Sequence, residues 1–130
     1  MKNLIKVISI ILFAIMFTGC GASNLSSDFS KDKLKSSAEI VIDNLNNKKY
    51  DDIIKTGSAD LKGKLTAEQL KEVWSNINDK LGNFDSISKE EFTGKGDNAI
   101  VIIIAKYEKG NIQFTISYNK NMEMTGINIK

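Results

Sequence analysis

The chain has 130 residues, enough for one domain and too few for two. It contains no His and no Pro, its cations are all Lys, and it has a single Cys. That excludes a Ser-His-Asp triad, a Cys–His pair, His-ligated zinc, an intrachain disulfide and a guanidinium clamp for phosphate.

The first twenty residues carry an address. Lys2 and Lys6 precede an apolar run from Val7 to Phe17 that only Ser9 interrupts. A membrane span needs about 20 such residues, so the run has the length of a signal-peptide core. It ends in Phe17-Thr18-Gly19-Cys20, followed by Gly21 and Ala22. Small residues before a Cys at this place resemble the lipobox of bacterial lipoproteins, with Phe17 where Leu is usual. The resemblance implies cleavage before Cys20 and a diacylglyceryl group on its thiol. It implies a membrane partner through that lipid, and residence on the outer face of the cytoplasmic membrane of a Gram-positive cell. Removing residues 1–19 takes two lysines with it and cancels the net charge of +2. No basic stripe survives, so nucleic acid is not an expected partner.

Residues 20–29 read as the lipidated Cys and a small, polar tether, and 30–130 as one domain. Ser30 can cap a first helix with Leu34, Ala38, Val41, Ile42 and Leu45 on one face. Tyr50 to Lys55 makes a second helix stopped by Gly57. Thr66 and Gln69 form a capping box for a third, flanked by Leu65 and Leu70 at staple positions. Its apolar face holds Leu70, Val73, Trp74, Ile77 and Leu81, and Gly82 suits its end. Strands follow near 84–93, 98–107, 111–119 and 122–129, separated by turn residues at 94–97, 108–110 and 119–121. Helices first and strands after predict an α+β domain: three helices on a four-stranded antiparallel meander.

Several segments within residues 34–130 resemble a family. They are Lys48-Lys49-Tyr50-Asp51, Leu65 to Leu70, Trp74, Leu81-Gly82-Asn83-Phe84, Tyr107 to Gly110 and Ile127. They are similar to a clostridial-type domain of unknown function with a cystatin-like, nuclear-transport-factor-2-like half-cone fold. Those residues specify packing and turns, so the resemblance carries over no catalytic residue.

Three motifs fail on context. Ser30-Lys31-Asp32-Lys33 and Lys55-Thr56-Gly57 echo penicillin-binding proteins, but they sit at helix ends and the S-D-N element is missing. Gly94-x-Gly96-x-x-Ala99 precedes a strand, where a dinucleotide fingerprint needs a helix. Asp43 to Asn47 places Leu45 at a liganding position of a calcium loop. No catalytic, metal or cofactor site is therefore assigned.

Trp74, Phe84, Phe114, Tyr118 and Met124, with Tyr107 and Met122, either fill a plain core or line a cavity between helices and sheet. Their spacing favours packing. Strand 98–107 is apolar on both faces. A three-residue loop with Gly110 left-handed would pair Tyr107 with Asn111 and Ile104 with Phe114. Ile100, Ile102 and Ile104 then face the core, and Val101, Ile103 and Tyr107 form an outer contact surface for a second copy or a protein partner. A two-residue loop would swap these faces. The functional expectation is an anchored binding or interaction module. The alternative is a small pocket enzyme of isomerase or hydratase type, which would need an inward carboxylate.

Overall fold

The computed structural model describes residues 24–130, so the signal segment and Cys20 lie outside the described residues. Four helices pack on one face of a four-stranded antiparallel sheet in the order β1-β2-β3-β4. Among the described residues no helix is long and apolar enough to cross a membrane.

Helix α1 spans Lys31–Asn46, and its cap is Ser30, whose hydroxyl accepts from the Lys33 N–H. Leu34, Ala38, Val41, Ile42 and Leu45 are its buried face. Helix α2, Tyr50–Lys55, ends at Thr56, whose hydroxyl donates to the Ile53 carbonyl at 2.7 Å. Both segments of the penicillin-binding echo are therefore helix ends. Helix α3, Ala59–Lys64, is an addition to the three expected. Ser58 caps it by accepting from the Leu61 N–H, but it buries only Leu61 and carries Gly63, so it has almost no apolar period. Helix α4, Ala67–Leu81, has the full capping box at Thr66 and Gln69. It stops at Gly82, which has φ +80°.

Strands β1 Phe84–Lys95, β2 Asn98–Tyr107, β3 Gly110–Tyr118 and β4 Met124–Ile129 complete the chain. Gly96 opens the β1–β2 turn at φ +61°, as primed hairpin turns require of their first central residue. The segment around Gly57 bridges to the start of β4 and ties the helices to that sheet edge. There the Ser58 N–H donates to the Met124 carbonyl and the Met124 N–H to that of Thr56.

The tether is shorter than expected. Phe29 is buried, Leu25 packs against the core, and Asp28 pairs with Lys120 at 3.3 Å. An aromatic beside an open edge of the core gains more from burial than the chain loses by docking.

The β2–β3 connection is the main correction. Tyr107 pairs with Gly110, Ile103 with Phe114 and Val101 with Ile116, so the loop is the two residues Glu108 and Lys109. Gly110 does not take the left-handed conformation that a three-residue loop would need. Tertiary hydrogen bonds hold the shorter turn: the Glu108 N–H donates to the Asn83 carbonyl and the Lys109 N–H to that of Leu81, each at 2.9 Å. Glu108 Oε1 also accepts from the Asn83 N–H at 2.8 Å. The faces of β2 are therefore exchanged. Val101, Ile103 and Tyr107 belong to the core, and Ile100, Ile102 and Ile104 to the outer face.

Two substitutions report this register. Ile103→Asp places a charge in a fully buried site and is expected to unfold the domain, at a cost above about 4 kcal/mol. Ile104→Asp, half-buried opposite Lys89, is expected to cost about 1–2 kcal/mol and keep the fold. Urea denaturation of the two variants followed by circular dichroism checks the pair.

Candidate functional site

Trp74 from α4 is the aromatic centre under the helices. Its ring lies 5.8 Å from Tyr107 in an edge-to-face arrangement and 5.7 Å from Phe114. Trp74, Phe114, Tyr118 and Met124 are all 1% exposed or less. The five residues that could have lined one cavity are not brought together in one: Trp74, Phe114 and Met124 are packing, the alternative their spacing favoured. Phe84 lies apart on β1, and Tyr118 reaches a different hollow from β3.

The open features flank α1, which runs alongside β1. Lys31 sits over the Phe92 ring at 5.6 Å, Lys35 Nζ is 3.8 Å from Glu90, and Asn46 accepts from the Tyr107 hydroxyl at 2.6 Å. Burial pushes Tyr107 up to about 12 against the opposing effect of that hydrogen bond. On the β1 flank, a cleft of about 340 Å³ runs between α1 and Phe84 and Ile87. Glu39 and Asp43 line it from the helix, with Ile40 at its crest. Ile40 is 53% exposed and Phe84 40% exposed, and among the described residues these are the exposed large hydrophobics. The Phe84 ring rests edge-on against Tyr107 at 5.4 Å, which holds it in place at the surface.

On the opposite flank of α1 lies a smaller cavity of about 140 Å³, reached by Tyr118 from β3 and Met122 from the β3–β4 turn. A wider hollow of about 530 Å³, between Lys48–Lys55 and the start of α4, mixes lysines with Asp51, Asp52 and Glu68 and favours neither sign of charge.

One side chain that matters escaped the sequence reading. Glu90 pairs across β1–β2 with Ile103 and so points inward, between Ile87 and Phe92. Its side chain is 16% exposed, and Oε2 is buried with no hydrogen-bond partner. Burial, then a shared hydrogen bond with Glu39 and the charge of that carboxyl, push Glu90 from 4.5 up to about 7; Lys35 opposes them. Two register shifts, at Phe84/Ser86 and Ile87/Lys89, break the alternation of β1. They hide the inward phase, although Phe92 two residues on was a usable signal. Among the described residues no cluster of carboxylates is suited to a metal.

Residues 38–127 match the family described as Protein of unknown function (DUF3887). The chain belongs to that family. An NMR structure of a protein from Ruminococcus gnavus ATCC 29149 superposes with a TM-score of 0.70 at 24% identity, covering 82% of this chain and 96% of the other. That likeness shows a shared fold. No curated protein matches the chain. Membership of DUF3887 thus names an architecture and leaves the chemistry to the residues.

Glu90 makes stability depend on pH. The folded state binds more protons than the unfolded chain between pH 4.5 and about 7, so stability falls as the pH rises through that window. The loss is at most about 3 kcal/mol. Glu90→Gln is expected to flatten this slope and to be the more stable protein at pH 8. Denaturant midpoints measured from pH 4 to 8 check it.

Proposed function

We propose that this DUF3887 protein is a lipid-anchored binding module on the outer face of the cytoplasmic membrane. Its contact surface is the cleft between α1 and β1. The observation that carries the reading is the exposure of Ile40 and Phe84, two large hydrophobics on one cleft. Exposed apolar side chains rimmed by polar ones are the usual mark of an interaction site. Glu39 and Asp43 give the cleft an acidic border, which suits a protein segment with an apolar anchor beside lysine or arginine and disfavours nucleic acid. A second copy docking on the outer sheet face would meet Ile102 and Ile104, which are already half-buried by their neighbours. The α1 cleft offers more. No cofactor or metal enters this reading. The helices-on-meander architecture fits the cystatin-like, nuclear-transport-factor-2-like group that the sequence segments resemble.

The anchor rests on the order of charged, apolar and small residues before Cys20. Two acyl chains hold a protein on a bilayer stably, at about 0.8 kcal/mol for each buried CH₂. Mass spectrometry of the membrane-purified protein is expected to find diacylglyceryl-modified Cys20 at the mature N-terminus. Cys20→Ala is expected to leave uncleaved precursor or unlipidated protein, and any other mature N-terminus overturns the anchor.

The contact surface is tested separately. Ile40→Ser with Phe84→Ser removes two exposed side chains and is expected to leave the fold intact. Native mass spectrometry of the membrane-purified protein is expected to show a basic, apolar protein partner on the wild type and its loss from the double variant. Equal retention by both overturns the surface.

A specific observation favours the enzyme as a second reading. Glu90 is an inward carboxyl held near 7, the range in which a general acid or base works best at neutral pH. Glu90→Gln would then abolish turnover of an isomerase or hydratase substrate and leave partner retention untouched.

A further inference from the structure

The wall of the cleft between α1 and β1 holds a pair of carboxyls. Glu90 stands on the inward phase of β1, opposite Ile103, and meets the side of α1. Facing it from the helix are Glu39, with which it shares a hydrogen bond, and Lys35, whose Nζ is 3.8 Å from Oε1. Lys31, one turn back, is engaged over the Phe92 ring. Strand β2 presents Val101, Ile103 and Ala105 on that face and no charge. The charged neighbours on β1, Lys89 and Glu91, pair with each other at 3.1 Å on the outer face, opposite Ile104 and Ile102.

Two ionised carboxylates only accept, so they cannot hydrogen-bond to each other. Glu90 Oε2 is buried and finds no donor among its neighbours. One proton between the carboxyls of Glu39 and Glu90 accounts for both facts. Burial first, then the hydrogen bond to Glu39 and the charge of that carboxyl, raise Glu90 to about 7. The pair therefore keeps its proton below neutrality and releases it above. Lys35 opposes the rise from an exposed position and does not cancel it. The chain has no His to titrate in the same range.

Of the two carboxyls only Glu39 lines the cleft, with Asp43 one turn further along α1. Glu90 lies behind Glu39 and needs no opening of its own. A cation seated beside Ile40 and Phe84 meets Glu39, and the charge on Glu90 reaches it from behind. With the proton in place the pair carries one negative charge; without it, two. Proton and cation compete, and each weakens the hold on the other by the same factor.

This inference rests on the reading of the cleft as a contact surface for a basic, apolar protein segment. We propose that the Glu39–Glu90 pair regulates that contact: the partner's cation is bound in exchange for the shared proton, which leaves to solvent, and affinity rises with pH. Glu90 acts through Glu39. A lysine or arginine of the partner stays charged well above pH 8, so the pair alone sets the sign. A cation that lowers Glu90 by about one pH unit tightens binding about fivefold between pH 6 and 8.

The probe is the peptide acetyl-Lys-Leu-Phe-Lys-amide, titrated by NMR into the full chain in phosphatidylcholine nanodiscs, with empty nanodiscs as the blank. Binding is expected to shift the signals of Ile40 and Phe84 and to be about fivefold tighter at pH 8 than at pH 6. The Glu90 carboxyl carbon is expected to titrate about one pH unit lower with peptide bound. Glu90→Gln donates an amide N–H to Glu39 as the protonated carboxyl does. It is expected to bind at either pH as the wild type does at pH 6. Asp43→Asn, a cleft carboxylate outside the pair, is expected to weaken binding at both pH values and keep the ratio. Equal wild-type affinity at pH 6 and 8, or a ratio that survives Glu90→Gln, overturns the regulation and leaves the contact surface standing. No binding to the wild type, or binding indifferent to Ile40→Ser with Phe84→Ser, overturns the surface and the regulation with it.

Discussion

The register of β2 against β3 depends on two backbone hydrogen bonds made outside the hairpin. The Glu108 and Lys109 N–H groups reach across to the carbonyls of Asn83 and Leu81, where α4 hands over to β1. Gly82 makes that approach possible. It has a positive φ, and a Cβ there would stand 2.5 Å from Glu108 Oε1. Once the turn is held at two residues, Tyr107 faces inward, meets Trp74 and Phe84, and its hydroxyl reaches Asn46 at the end of α1. Helix α1 and the cleft beside it take their positions from this chain of contacts.

The parts of the fold governed by nearby residues were legible in the chain. The Ser30 cap, the Thr66–Gln69 box, the Gly82 stop and four strands at the expected places all rest on chemistry within a few residues. Helix α3 was missed because it buries one Leu and has no period to read. The β2–β3 register was misread because Gly110 is a strong local signal for a left-handed turn, and the hydrogen bonds that override it come from residues 81 and 83. Glu90 was hidden by two bulges that no local composition announces. Leu25 looked like tether because only the assembled core shows what it docks against. Cys20 lies outside the described residues, and its reading stands on the sequence alone.

Helix α1 divides the exposed chemistry of the protein into two unlike halves. On one flank, apolar Ile40 and Phe84 meet acidic Glu39 and Asp43, with Glu90 further along β1. On the other, the lining carries no charge and is shared between polar and apolar residues. Ile40 borders both. A single helix with a tightly buried stripe can carry two such surfaces, because Leu34, Ala38, Val41, Ile42 and Leu45 hold it to the core and leave its sides for other work.

The docking of Leu25 and Phe29 has a consequence for reach. With the lipid proposed for Cys20, only four residues separate it from Leu25, the first side chain packed on the domain. Fully extended, the chain from Cys20 to Leu25 spans about 18 Å. Asp28 is paired to Lys120 at the β3–β4 turn, two residues before Met122. Under the lipid anchor proposed above, a leash of that length would keep the Leu25 end of the domain, and the β3–β4 turn paired to it through Asp28, close to the bilayer surface.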